Sequence, residues 1–431
     1  MLHYFSTNRK SPHVTFREAA LAGQPADKGL YFPSEVPKYT TGFINDLLKR
    51  SNDKIAFEVI RPFVAGEIDD EDLFTICSET VNFEFPLVRI SDAISALELF
   101  HGPTLAFKDV GARFMSRCLR YFAEDRDQKT IVIVATSGDT GGAVANGFYG
   151  VNGIEVVILY PKGKVSGVQE AQLTKLDKNV TAIEIRGSFD DCQRLAKQAL
   201  GDEELKKNSR LTSANSINIA RWLPQQFYYY YALKQWDGGP PVVSVPSGNF
   251  GNLAAGLLAK AAGLPIKKFI AACNANDAVP QFMRTGDYQP KPSVHTLSNA
   301  MDVGDPSNVV RLDEHFNGDI SKLAHAYDAV TISDAETVET IRDVFQRYGY
   351  VLDPHGAVGY RALADYLSSN PNDKGIVLET AHPVKFESVK EIIDAVIEIP
   401  ESVRELNNRK KVAIETEADY GLVKEIIQSK I

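Results

Sequence analysis

Cysteine is scarce in this chain of 431 residues, with only Cys77, Cys118, Cys192 and Cys273. They stand far apart, with no CxxC pair and no Cys/His metal spacing, which argues against a disulfide framework and a zinc site and leaves reduced core residues. No metal is expected. Basic charge is not in excess either. A formal net charge of −9 argues against nucleic acid or an anionic membrane as the main partner, though it leaves room for a local anion pocket. No apolar run approaches the ~20 residues of a membrane span. Residues Met1 to Ala20 are polar and mixed in charge, unlike a secretory leader, so a cytoplasmic location is expected. Internal repeats, low-complexity linkers, a Walker A loop and a full G-x-G-x-x-G fingerprint are also lacking.

What is present is an ordinary globular composition, 44% hydrophobic and 24% charged, long enough for two or three domains and a large core. From about Thr130 onward, β-branched runs alternate with amphipathic stretches. Strands are expected at Ile131–Ala135, Glu155–Tyr160, Val180–Ile185, Val242–Pro246, Phe269–Cys273 and Gly375–Glu379, with helices such as Asn252–Ala262 and Glu336–Tyr348 between them. That alternation predicts an α/β fold of two lobes, each with a mainly parallel sheet and helices on both faces, and a cleft between the lobes. Residues 1–90, with helical segments and Pro-rich connections, read as an N-terminal subdomain, 91–400 as the two-lobed catalytic domain, and 401–431 as a charged helical extension.

One lysine stands out. In Phe100-His101-Gly102-Pro103-Thr104-Leu105-Ala106-Phe107-Lys108-Asp109, a turn leads into a helix whose apolar stripe is Phe114, Met115, Cys118, Leu119 and Phe122. Lys108 sits at the helix start, where the dipole and burial beside Phe107 both disfavour its charge. An uncharged lysine is a nucleophile toward carbonyls and can form a Schiff base; the alternative is a surface lysine that snorkels.

Three loops share a strand–small polar loop–helix pattern: Thr136–Gly142, Ser247–Asn252 and Glu379–Pro383. Such loops lie at the carboxyl ends of strands, where helix N-termini present free N–H groups to anions. Gly248 and Gly251 bracket Asn249 and make Ser247–Asn252 the better phosphate cradle, whereas the hydroxyls of Thr136, Ser137 and Thr140 suit a substrate carboxylate. Each loop taken alone is equally a plain turn. Together with a reactive lysine they describe a site for a phosphorylated aldehyde, pyridoxal phosphate.

In these motifs the chain resembles the tryptophan-synthase-β-like (fold type II) pyridoxal-phosphate enzymes, and within them the threonine synthase branch. His101–Asp109 matches the lysine segment, Ser137–Gly141 the substrate loop, Ser247–Asn252 the cofactor-phosphate loop, and Thr380–Pro383 the segment facing the pyridine ring. Phe16–Ala20 and Gly29–Pro33 resemble the N-terminal part of that branch; Asp27-Lys28-Gly29 departs from the Asp-Gly-Gly expected there, in a turn taken to lie outside the chemistry.

The resemblance implies roles for individual residues. Lys108 would carry pyridoxal 5′-phosphate and shuttle protons. Gly248, Asn249, Phe250 and Asn252 would bind its phosphate, and Thr380 its ring nitrogen. Ser137, Gly138, Asp139 and Thr140 would hold the substrate carboxylate. It also implies conversion of O-phospho-L-homoserine and water to L-threonine and phosphate, by a monomer or small homo-oligomer. Within Ser213–Arg221, Asn215 or Ser216 can cap the following helix. Arg221 can grip phosphate, so Asn215, Ser216, Asn218 and Arg221 are taken as the pocket for the substrate's own phosphate. A sister lyase, such as a dehydratase or phospho-lyase, and a non-catalytic nucleotide-binding module are the competing expectations. The run Tyr228–Tyr231 reads as packing.

Overall fold

The computed structural model describes residues 2–123, 128–316, 325–407 and 409–431. Among these described residues, thirteen strands fall in three sheets. A small antiparallel pair joins β1 (Tyr4–Ser6) to β2 (Tyr31–Pro33) near the N-terminus. The larger lobe is built on six strands: β3 (Leu87–Arg89), β4 (Ile94–Glu98), β9 (Val242–Pro246), β10 (Lys268–Cys273), β11 (Tyr327–Thr331) and β12 (Gly375–Glu379). They lie in the order β11-β10-β9-β12-β4-β3, parallel except for β3. The smaller lobe holds β5 (Thr130–Ala135), β6 (Ile154–Pro161), β7 (Val180–Arg186), β8 (Arg210–Ser213) and β13 (Ile414–Glu417), in the all-parallel order β13-β7-β6-β5-β8.

All six strands expected from β-branched runs are present, extended by at most a residue at either end. Their interiors are mostly apolar and almost wholly buried, as in parallel sheets covered by helices. Strands β4, β8, β11 and β13 escaped the pattern because they are short or carry polar positions that are only partly buried or exposed. The tail after Pro400 is helical at Glu401–Asn407 and Tyr420–Gln428, but between them Ile414–Glu417 adds an edge strand to the smaller sheet, beside β7. Two salt bridges from Glu415, to Lys162 at 2.6 Å and Arg186 at 2.5 Å, fix that edge.

Strands β9, β12 and β4 are adjacent and parallel. Their carboxyl ends therefore deliver Ser247–Phe250, Thr380–His382 and Leu99–Phe107 to one edge of the larger sheet. The Lys108–Ala123 helix follows the last of these, and its stripe Phe114, Met115, Cys118, Leu119 and Phe122 is buried as expected. Among the described residues no helix is long and apolar enough to cross a membrane. All four thiols are buried and unpaired.

Candidate active site

Between the lobes opens a cavity of about 820 Å³, within the range of small-molecule sites. Of the fourteen residues expected there from the sequence, all but Gly138 and Asn218 line it.

Lys108 is the first residue of its helix and reaches the cavity with its side chain 16% exposed. The segment before it is stitched to the chain leaving β12: Phe107 N donates to Thr380 O at 2.9 Å, and His382 N donates to Leu105 O at 3.1 Å. The Tyr228 hydroxyl donates to Phe107 O. The ammonium lies 3.6 Å from Asp139 Oδ2 and 5.2 Å from the Phe107 ring centre. Burial pushes the Lys108 pKa down, opposed by Asp139 and reinforced by the cations Lys385 and Arg221. Desolvation thus outweighs the single carboxylate, as the sequence suggested.

The Ser247–Asn252 loop turns into the Gly251–Ala261 helix through Phe250, which adopts a left-handed φ of +59°. Around it, Asn249 Nδ2 donates to Ser216 Oγ at 2.6 Å, Ser307 N to Asn249 Oδ1 at 2.6 Å, and Asn308 Nδ2 to Asn249 O at 3.0 Å. The Tyr229 hydroxyl lies 2.8 Å from both Asn252 O and Asn252 Oδ1. The Asn252 side-chain nitrogen, although buried, has no hydrogen-bond partner among the described residues. A helix N-terminus with a spare amide donor is a cradle for an anion.

The opposite wall behaves differently from expectation in three places. Asp139 does not offer its side chain to a substrate carboxylate: Oδ1 accepts from Lys385 Nζ at 2.6 Å and from Gln169 Nε2 at 3.0 Å. Against the upward push of burial, the cations Lys385 and Lys108 and these hydrogen bonds hold the Asp139 carboxyl well below the usual carboxylate range. Gly138 lies behind the wall with φ +142°, where an added Cβ would meet the Gln169 side chain at 2.4 Å. Asn218, rather than Asn215 or Ser216, caps the Ile219–Trp222 turn, accepting from Ala220 N at 2.9 Å. Its amide donates to Ala20 O and Ser213 O, so its polar atoms are committed to structure.

Arg221 is 4% exposed and donates to Ala214 O, while its Nε has no hydrogen-bond partner among the described residues. Burial lowers its pKa to about 10, which leaves it cationic at neutral pH. Thr380 lines the cavity at the end of β12. Lys28 has φ +65° and lies on the cavity rim, so the turn that departs from Asp-Gly-Gly borders the site instead of lying outside it.

Several functional neighbours were not legible in the sequence. Lys385 is buried beside Asp139. The buried guanidinium of Arg311 donates to the carbonyls of Ser216, Ile217 and Tyr31 and stacks on Trp222. The tyrosine run is packing, as read, but two of its hydroxyls also hold the lysine segment and the anion loop. Among the described residues no group of three His, Cys, Asp or Glu side chains is arranged to hold a metal ion.

Comparison with known proteins bears directly on this cavity. A family model described as pyridoxal-phosphate dependent enzyme matches residues 88–379. Models described as threonine synthase N terminus and threonine synthase, C-terminal match residues 3–81 and 356–427. The chain is 43% identical over 421 residues to threonine synthase of Escherichia coli, covering 96% of this chain and 97% of that one. It is 35% identical to threonine synthase of Saccharomyces cerevisiae, over 99% and 98% of the two chains. The crystal structure of the Escherichia coli protein superposes with a TM-score of 0.93 at 41% identity, over the whole of both chains. A structure of PLP-bound threonine synthase from Brucella melitensis does so with a TM-score of 0.94 at 34% identity, covering 100% of this chain and 99% of that one.

Proposed function

This chain belongs to the threonine synthase family of pyridoxal-phosphate-dependent enzymes, and on that premise we propose which of its residues bind cofactor and substrate. The reaction is conversion of O-phospho-L-homoserine and water to L-threonine and inorganic phosphate. That activity, and not a dehydratase or a bare nucleotide-binding module, is what relatives similar over nearly the whole chain carry in their names.

The residues fit pyridoxal 5′-phosphate. The Asn252 side-chain nitrogen, without a partner among the described residues, and the loop Gly248–Phe250 at a helix N-terminus would hold its phosphate; Lys108, on the same cavity, would hold its aldehyde; Thr380 would offer a hydroxyl to the ring nitrogen. A hydroxyl there would leave that nitrogen largely unprotonated. When bound, the cofactor supplies the electron sink that makes substrate carbon–hydrogen bonds acidic.

The protein's own contributions follow from position and charge. Lys108 Nζ, with its pKa lowered, takes and returns protons at the reacting carbons. Ser137 and Thr140, with the backbone N–H groups at the start of the Asp139–Phe148 helix, receive the substrate carboxylate. Arg221, with Asn215 and Ser216 at its side, receives the substrate phosphate; its support is a buried guanidinium with an unused Nε donor. Gly138 and Asn218 act by shaping these walls. We divide the chain at about residues 90 and 400, and assign it to the cytoplasm as a monomer or small homo-oligomer.

The observation that carries this reading is the opening of Lys108 Nζ and the Ser247–Asn252 cradle onto one cavity. The test is Lys108→Ala, which should abolish the visible absorbance of lysine-bound cofactor and the release of threonine and phosphate in equal amounts. Turnover retained in that variant, or 2-oxobutyrate as the wild-type product, would overturn it.

A further inference from the structure

Two lysines and one carboxylate meet at the wall of the cavity, which Lys108 and Asp139 line. Lys385 Nζ lies 2.6 Å from Asp139 Oδ1, whereas Lys108 Nζ lies 3.6 Å from Asp139 Oδ2. By distance alone the second attraction is roughly 30% weaker than the first. Burial widens the gap, since the Lys385 side chain is 0% exposed and that of Lys108 is 16%. An ammonium with no access to water depends on its partner far more than one that can be solvated. Lys385 also donates to Thr104 O at 2.9 Å, the carbonyl that accepts from Gln172 Nε2 at 2.9 Å.

We propose that Lys385 is a positioning residue that takes the larger share of Asp139 as its counter-ion and so leaves Lys108, the reactive amine, only the weaker share. Its ammonium then adds to Arg221 in opposing a proton on Lys108. His382, three residues before Lys385 and buried enough to disfavour its charge, also feels the Lys385 ammonium. Asp139 faces both lysines, and Arg221 approaches from the turn after β8. Asp109, on the helix of Lys108, is committed to Thr104 N and Oγ1. The Tyr228 phenol donates to Phe107 O.

The arrangement also joins the lobes. Asp139 opens a helix of the smaller lobe, Lys385 follows β12 of the larger one, and Thr104 belongs to the lysine segment. A lysine held in this way supplies charge and geometry together, where a carboxylate alone would hold Lys108 protonated.

The inference rests on Lys108 being the reactive amine, yet its test needs neither cofactor nor turnover, so the two can fail separately. The full-length chain, stripped of cofactor, is labelled with fluorodinitrobenzene across a pH series, and Lys108 is quantified in the digest by mass spectrometry. In the wild type, Lys108 should label at lower pH than exposed Lys49; labelling at the same pH overturns the proposal without any variant. Lys385→Met and Lys385→Gln, the latter keeping donors to Asp139 and Thr104, free Asp139 for Lys108. Each should move its midpoint upward by about one pH unit or more, a tenfold fall in labelling at fixed pH. Lys385→Arg should restore the wild-type midpoint. Midpoints unmoved by Met or Gln, or moved downward, refute the assignment.

Discussion

Gly248→Ala isolates geometry from chemistry, because it adds one carbon and removes no hydrogen bond. Built on the Gly248 backbone, that carbon would lie 2.6 Å from Met301 Cα and 3.2 Å from both Met301 C and Ala300 O. Ordinary carbon contacts are about 3.5–4.0 Å, so roughly 1 Å of space is missing. The obstacle is backbone, which cannot rotate aside; either the anion loop or the Ser298–Asp302 segment must shift. Overpacking of this kind costs about 1–3 kcal/mol of stability. The larger effect falls on the site, since a 1 Å misplacement costs on the order of 100-fold. Spectroscopic titration of the cofactor-free variant should therefore show affinity for pyridoxal phosphate lowered by about 10- to 100-fold, with a modest fall in the denaturation midpoint. Gly251→Ala is the stability control: its added carbon meets nothing closer than 3.4 Å, and the helix it opens gains up to ~1 kcal/mol from alanine. Wild-type cofactor affinity in Gly248→Ala would refute the steric argument.

Three further outcomes are expected. Asn218→Ala removes a helix cap and two amide donations, lowering stability by about 1–3 kcal/mol while leaving KM for phosphohomoserine unchanged; a raised KM would return Asn218 to the substrate site. Arg221→Met should raise that KM by about 10- to 100-fold, the worth of a charge-assisted contact of ~1.5–3 kcal/mol, with cofactor binding retained. Glu379 is buried and its carboxylate has no hydrogen-bond partner among the described residues; burial, then Asp353, pushes its pKa well above normal. The folded state therefore holds a proton that the unfolded chain loses near its ordinary value of about 4.3, and stability from this group declines as pH rises above that value. Glu379→Gln should flatten urea-denaturation midpoints measured across that range and gain on the wild type at neutral pH; parallel curves would contradict the assignment.

What the sequence revealed and what it hid divide along a physical line. Continuous apolar runs disclose strands buried on both faces, so β9 and β12 could be read to the residue. The glycine-bracketed loops and Lys108 were legible because their chemistry is local: a turn, a strand end, a helix start. Partners from distant segments carry no such mark. Lys385 stands 277 positions from Lys108 in sequence and looks like any lysine in a Pro-Val-Lys turn. Asp139 looked like a contact for substrate because nothing local reveals that a buried lysine from a distant segment pairs with its side chain. Asn218 looked like a site residue because a cap and a ligand use the same side-chain atoms.

The tyrosine run shows how such partners combine. Tyr228 and Tyr229 are neighbours on one helix, Phe227–Gln235, and neighbours on a helix point about 100° apart. One hydroxyl thus reaches Phe107 O, beside the lysine, and the other reaches Asn252, in the anion cradle. Gly256 lets the second ring approach its own target helix, since a Cβ there would sit 2.6 Å from Tyr229 Cζ. A single rigid element therefore sets the spacing between the two ends that a phosphorylated aldehyde must span. Each Tyr→Phe change should cost about 1 kcal/mol of stability, and either one loosens the same distance. If the helix acts as one ruler, the second substitution has less left to lose, and a double-mutant cycle on cofactor affinity should give a coupling of about 0.5 kcal/mol or more. Strictly additive losses would mean that each hydroxyl merely anchors its own segment.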